Sequence, residues 1–465
     1  MAFVQSFGAV KVVTGSCHLL TLDDGKKILI DCGMFQGEYE ERNANPFGFK
    51  PEEIDYVILT HAHLDHVGRT PILFQNGFRG EIITTRPTYE LASVILLDSA
   101  HLMKEDYYHR FKKAQRCGEE KKVKEPLYTP QDVESFLSLK TNYAKYEKPI
   151  KIYKDITITF YNAGHILGSA FVEIKFMENG VQKCIVFSGD LGNNNDFLLP
   201  PLVKPNEADA LYIESTYGDR DHKSMEASII ELKDIVRKTL AKEGNVLIPS
   251  FAVERTQELL CIFKQMYLDG ELPRCRIFLD SPMAIRATRL YNKYVEELSE
   301  ECQDFMEKSG SIFDFVNLEY IKTPEDSKKI NDIPSGNIII AGAGMCNGGR
   351  ITHHFKHRLW NDKNAVVFVG YQADGTLGRK IVEGAEFIEL YNEKILVKAS
   401  IHTIGGFSAH ADKTQMLAWI NSFKRLENIY LVHGEEKKEI AFKEAILKET
   451  DKKVHIVKEK DRIYV

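Results

Sequence analysis

The stretch LTHAHLDHVG, residues 59–68, crowds His61, His63, Asp65 and His66 into one short turn. It follows Tyr56–Leu59, an apolar, β-branched run expected to form a buried strand. Helix signals resume after Gly68. The four polar residues are therefore expected in a loop at the C-terminal end of a core strand, where α/β folds place their chemistry. Buried without partners, each would carry a heavy desolvation cost. A metal ion removes that cost, and imidazole with carboxylate suits zinc first, manganese or iron next. The pattern offers His61 and His63 to one ion and Asp65 and His66 to a second. An ordinary surface turn would draw on Gly, Asn, Asp and Ser instead of three histidines.

Upstream, HLLTLD and KKILID flank Asp24-Gly25, a hairpin signal. The second of these strands ends at Asp31-Cys32-Gly33. Asp31 alone reads as a turn residue. Beside a histidine cluster it also reads as the acceptor that a metal-bound imidazole needs for its other ring N–H.

The 465 residues exceed one ordinary core, so two domains are expected. No apolar run approaches the length of a membrane span. The opening MAFVQSFGAVKVV reads as a strand, not a signal peptide. Eight scattered cysteines without a Cys-x-x-Cys pair suit reduced thiols and a cytoplasmic setting. The net charge of −6 argues against a surface that coats polyanions, while leaving room for a local basic groove. Residues 86–148 read as helical and charged, and 112–125 as a solvated stretch within them.

Further along, ITITFY is followed by NAGHILGS, which carries His165 between two glycines. CIVFS is followed by Gly189-Asp190-Leu191-Gly192, and ALYIE by Glu214 and STYG. A repeating unit then begins: apolar strand, glycine- or serine-bearing loop, helix. VLIPS leads to FAVERTQELLCIF, RIFLDSP to MAIRATRLY, NIIIAGAG to MCNGGRITHHFKHRLW, and AVVFVGYQADGTLGR follows. Such alternation implies a parallel sheet with its loops along one edge. Small residues at helix starts beside arginines favour phosphate. This selects Ser250 and Arg255, Gly348, Gly349 and Arg350, and Arg379 as candidate contacts to the phosphates of a phosphodiester. Next come GGFSAHAD, with His410 just ahead of a helix that Asp412 and Gln415 would cap, and NIYLVHGE with His433. VHIVKEKDRIYV reads as a closing hairpin.

Together, the histidine turn and the motifs STYG, PSFAVERTQELL, DSP, GAGMCNGGR and GYQADGTLGR resemble the β-CASP nucleases of the metallo-β-lactamase superfamily, which include the endonuclease subunit of the cleavage and polyadenylation machinery. The resemblance runs through most of the chain. It implies an α/β fold: a metallo-β-lactamase αββα sandwich, 1–208 and 391–465, interrupted by an inserted parallel-sheet β-CASP domain, 209–390. It implies two Zn2+ per chain. His61, His63, His165 and Asp190 would hold one, and Asp65, His66, Asp190 and His433 the other, with Asp31 orienting the site. It further implies hydrolysis of single-stranded RNA by a two-zinc hydroxide mechanism, leaving 5′-phosphate and 3′-hydroxyl ends. In that scheme His410, partnered by Glu214, is the general acid, and Asp65, Glu214 and His410 are the catalytic residues. Family members acting on DNA typically carry valine where this chain has His433, so histidine favours RNA. GGFSAHAD resembles the polyadenylation-type and related bacterial enzymes and departs from the ribonuclease J pattern.

The resemblance covers endonucleases, some with an added 5′-to-3′ exonuclease activity, and leaves open a homodimer or an RNA-processing partner. No RNA-binding module is expected ahead of the first domain. A small-molecule hydrolase of the superfamily would share the metals but not need the inserted sheet. A non-catalytic scaffold subunit would have lost ligands.

Overall fold

The computed structural model describes residues 1–194, 197–373 and 375–465. The chain forms two compact units. The first contains Met1–Asn194, Pro201–Asp221 and His410–Val465, and the second His222–Ala409 with a short piece ending at Pro200.

Two seven-stranded sheets build the first unit. In one, Phe3–Gly8, Cys17–Thr21, Lys27–Ile30, Tyr56–Ile58, Glu81–Thr85 and Thr141–Ala144 lie in chain order, with Ile463–Tyr464 outside Phe3–Gly8. The other runs Lys453–Ile456, Arg425–Val432, Glu207–Glu214, Val181–Phe187, Ala170–Glu178, Ile156–Asn162, Ile150–Tyr153. Alternate residues of both sheets, such as Val4, Leu20, Ile28 and Ile83 from the first and Ile158, Val172, Ile174 and Ile185 from the second, share one core. The opposite face of the second sheet packs Val186, Leu211, Ile213 and Leu431 under Met416, Leu417 and Ile420 of helix Lys413–Asn421 and Phe442 and Ile446 of helix Glu436–Glu449. The period of two in the strands and the helical spacing of the covering residues are what a layered sandwich requires.

The second unit contains a six-stranded sheet, all parallel, in the order Leu318–Tyr320, Arg276–Asp280, Asn337–Ala341, Val246–Pro249, Ala365–Phe368, Ser400–Thr403. Its central strands are buried throughout, as strands covered on both faces must be.

Four expectations are corrected. Apart from the short piece ending at Pro200, the chain crosses between units after Asp221 and after Ala409, not at 208 and 390. Glu207–Glu214 pairs in the first unit with Val181–Phe187 and Arg425–Val432, and Ser400–Thr403 pairs in the second with Ala365–Phe368, so strand pairing carries both boundaries toward the C-terminus. The last two strands form no hairpin: Lys453–Ile456 lies parallel to Arg425–Val432, and Ile463–Tyr464 pairs with Phe3–Gly8 in the other sheet. Residues 86–148 are not helical throughout; Thr141–Ala144 closes the edge of the first sheet. Finally, the histidine turn already contains a helix, Leu64–Val67.

Candidate metal centre

The candidate donors of the first unit lie just beyond the ends of its strands. Strand Tyr56–Ile58 delivers the turn, whose one-turn helix Leu64–Val67 carries Asp65 and His66, while His61 and His63 precede it in extended chain. His165 sits in the loop between Ile156–Asn162 and Ala170–Glu178, with its backbone N–H and that of Ile166 donated to Ser169 Oγ at 3.0 and 3.2 Å. Asp190 follows Val181–Phe187, and His433 follows Arg425–Val432. A side chain at Gly192 is impossible, because a Cβ there would lie 1.8 Å from the Gly164 carbonyl oxygen. Glycine thus allows the Asp190 and His165 loops to touch.

Two sets of donor atoms converge. In the first, His63 Nδ1 lies 3.2 Å from His61 Nε2 and 3.1 Å from His165 Nε2, and Asp190 Oδ2 lies 3.4 and 3.6 Å from His61 and His165 Nε2. In the second, His66 Nε2 lies 3.3 Å from both His433 Nε2 and Asp190 Oδ1, and His433 Nε2 lies 3.4 Å from Asp65 Oδ2. Donors placed about 2.0–2.1 Å from a tetrahedral ion stand about 3.3 Å from one another, so both sets have the spacing of a ligand shell. Asp190 contributes one oxygen to each. Its Oδ1 is buried and makes no hydrogen bond, an expensive arrangement unless a cation takes it. These residues fit a metal cofactor on donor chemistry, spacing and the orphaned oxygen alike. A third grouping, Asp190, Glu214 and His433, also falls within reach of one ion, but Glu214 is committed elsewhere.

Electrostatics prepare the donors unequally. Burial holds the His61, His63 and His165 imidazoles below their ordinary range, His63 at about 3, so these three rings are neutral and ready to ligate. Burial also disfavours charge on His66 and His433, but Asp190, with Asp31 beside His66 and Asp65 beside His433, overrides it and raises both. Asp65 and Asp190 are kept ionised by these histidines against the cost of burial.

Asp31 sits beneath the turn. Its Oδ2 lies 2.7 Å from His66 Nδ1 and accepts from Thr60 Oγ1 at 2.8 Å, while Oδ1 accepts from the Thr60 N–H at 2.9 Å. Thr60 Oγ1 also lies 3.1 Å from His61 Nδ1. Thr60, and Thr216 at 3.3 Å from His433 Nδ1, escaped the reading of the sequence. The only sign of either was its place, beside His61 in the turn and beside Glu214 in STYG.

His410 lies at the rim, outside both donor sets, with 22% of its side chain exposed. Its backbone bridges to Gly192, Ala411 N–H donates to Leu191 O at 2.7 Å, and Asp412 with Gln415 forms a capping box at the next helix. Its Nδ1 lies 3.1 Å from Glu214 Oε2, and the fully buried Glu214 also accepts from the Leu191 N–H. Burial pushes His410 down, but Glu214, then Asp190 and Asp65, lift it to about 9.

In the second unit the phosphate candidates divide. Gly348 and Gly349, with φ of +128° and +70°, open helix Gly349–Arg358. Arg379 is partly exposed and donates to Glu383 at 2.7 Å. Arg350 instead spends its donors inside: 2.6 Å to buried Asp280, 3.0 Å to Ile321 O and 3.1 Å to Lys322 O. Arg255 is buried against Glu258, and Ser250 is buried with its Oγ 3.0 Å from Thr256 Oγ1. In the quoted motif GYQADGTLGR, Asp374 lies outside the described residues.

Family models match in three stretches: a metallo-β-lactamase superfamily model over residues 10–78, a Beta-Casp domain over 256–381, and a Zn-dependent metallo-hydrolase RNA specificity domain over 394–457. Ribonuclease TTHA0252 of Thermus thermophilus is 42% identical over 439 residues, 94% of each chain. Transcription termination factor FttA of Methanocaldococcus jannaschii is 33% identical over 99% of this chain and 71% of its own length. A crystal structure of a protein of unknown function from Enterococcus faecalis V583 shares the fold at 12% identity, with a TM-score of 0.56 over 99% of both chains. With the convergent donors and the inserted parallel sheet, these matches show that the chain belongs to the β-CASP family of metallo-hydrolases within the metallo-β-lactamase superfamily.

Proposed function

We propose that the chain is a two-zinc endoribonuclease that hydrolyses phosphodiester bonds of single-stranded RNA and leaves 5′-phosphate and 3′-hydroxyl ends. The observation that carries this reading is the pairing of a shared-carboxylate donor cluster with an imidazole held outside it by its own carboxylate. His61, His63, His165 and Asp190 would hold one ion, and Asp65, His66, Asp190 and His433 the other. Zinc bound there would supply a water activated near neutral pH and charge compensation for the reacting phosphate.

The chain's own residues do the rest. Asp31 accepts the His66 Nδ1 proton and fixes which nitrogen of that ring faces the donor set. Glu214 accepts the His410 Nδ1 proton and favours the imidazolium. His410 Nε2 then carries the proton delivered to the leaving 3′ oxygen. Glu214 is itself held by the Leu191 N–H and by its burial, so the pair is oriented before substrate arrives. The ribonuclease and termination-factor names of the relatives support RNA as the substrate, and Gly348, Gly349 and Arg379, which are not buried, are the phosphate contacts we keep in this reading.

An end-labelled, unstructured RNA incubated with zinc-loaded protein, with and without chelator and beside a matched DNA strand, tests the reading. Chelator-sensitive cutting of RNA is expected. His410→Ala should keep its metal content and lose cutting by about 10²–10⁴-fold, the usual worth of a general acid. Loss of metal in that variant would make His410 a ligand instead.

A further inference from the structure

We infer that Phe251 is a stacking platform for one unpaired nucleobase of the substrate, an assignment that rests on the ribonuclease reading. Strands Asn337–Ala341, Val246–Pro249 and Ala365–Phe368 lie side by side in the parallel sheet, and their C-terminal ends release three neighbouring loops. Phe251 belongs to the middle loop. Its ring is seated against the backbones of the other two: a Cβ on Gly344 would fall 2.8 Å from ring Cδ2, and one on Gly370 3.3 Å from Cε2. Two glycines therefore hold one edge of the ring. Thr256 Oγ1 fixes the main chain by donating to Phe251 O at 2.6 Å.

Despite this seating the residue is 41% exposed, whereas Ala252 and Val253, next in the same loop, are buried. An apolar ring left in water forfeits the free energy that burial would give it. Here the forfeit falls at the sheet edge where open α/β folds bind ligands. The polar neighbours do not suit an anion, since Ser250 and Arg255 are buried and engaged within the unit. What the loop presents is a supported π-face, and Tyr371, which follows Gly370, is a second exposed aromatic on the adjoining loop. A π-face without directed hydrogen bonds recognises bases through stacking and tolerates any of the four.

The test uses an end-labelled RNA cut at a mapped position and a set in which each nucleotide near the cut is replaced, one at a time, by an abasic one. Wild-type protein is compared with Phe251→Ala, Phe251→Leu and Phe251→Trp. One abasic position should raise the wild-type KM on the order of 5- to 100-fold with kcat little changed. Phe251→Ala and Phe251→Leu should show that loss on intact RNA and be blind to that position, and Phe251→Trp should behave as wild type. Leu keeps apolar packing against the glycines, so a Leu variant that binds RNA like wild type overturns the assignment. Additive losses from substitution and abasic site overturn it as well. Failure of the wild-type protein to cut intact RNA would instead sink the ribonuclease reading.

Discussion

Glu214→Gln isolates the contact that sets the protonation of His410. The carboxylate 3.1 Å from Nδ1 is the main influence lifting that imidazole against its burial. A group raised in this way is protonated below its folded pKa and loses its proton as pH rises through it. Cations bound beside it would lower the value in both proteins and leave the difference between them. The alkaline limb of the kcat profile should therefore move to lower pH by roughly 1–3 units in Glu214→Gln, with metal content unchanged. An unmoved limb would mean that another group gives the limb its pKa. Asp31→Asn keeps the shape but weakens the acceptor for His66, and should cost about 10–100-fold in metal affinity, read by chelator competition. The sequence announces this site unevenly. His61, His63, Asp65 and His66 are legible because four ligands share six residues. His433 meets His66 across 367 residues, and no local pattern joins them; only the family resemblance did.

At the scale of elements, helix Lys413–Asn421 fixes His410 through its start. Asp412 accepts from the Gln415 N–H at 2.9 Å and Gln415 returns the bond to the Asp412 N–H at 3.1 Å. Asp412→Ala should cost about 1 kcal/mol of stability, measured by denaturant unfolding, and should lower kcat more than it changes metal content because the imidazole two residues away loses its mooring. This cap was readable as a spacing of three between Asp412 and Gln415. The loop arginines were not. A glycine-rich helix start predicts an anion for Arg350, but the strand beside it supplies Asp280, which is fully buried and binds Arg350, Ser327 and His354 together. A linear motif cannot reveal which arginine a neighbouring strand has claimed. Arg350→Ala should accordingly destabilise the protein by about 1.5–3 kcal/mol, because buried Asp280 loses a charge-assisted partner while keeping Ser327 and His354. Arg379→Ala should leave the melting temperature near wild type and weaken RNA binding. An Arg350→Ala protein of normal stability that binds RNA poorly would return Arg350 to the phosphate contacts.

At the scale of the whole molecule, the two units should depend on metal differently. The donors of the first unit come from separate loops of both its sheets, and two of them, His66 and His433, are biased toward the protonated state. Without a cation, the converging donors are held by packing, by Asp31 and by the attraction of His66 and His433 to Asp190 and Asp65, while the three imidazoles held neutral beside them gain no such partner in charge. A bound metal adds stability by mass action, about 2.7 kcal/mol when free metal is at 100 times Kd. The second unit closes its own polar core around Asp280 and buries Leu247, Phe278, Ile339 and Val366. None of the metal donors belongs to it. Chelation should therefore raise amide exchange in residues 59–68, 163–169, 188–192 and 432–434, while strands Val246–Pro249 and Asn337–Ala341 keep their protection. Because His66 and His433 must release protons to bind metal and the first donor set need not, acidification should remove metal from the second set before the first. Metal content followed against pH would then fall in two steps, and the exchange of 432–434 would rise at the first of them. Equal loss of protection in both units on chelation would show that metal stabilises the molecule as a single cooperative body.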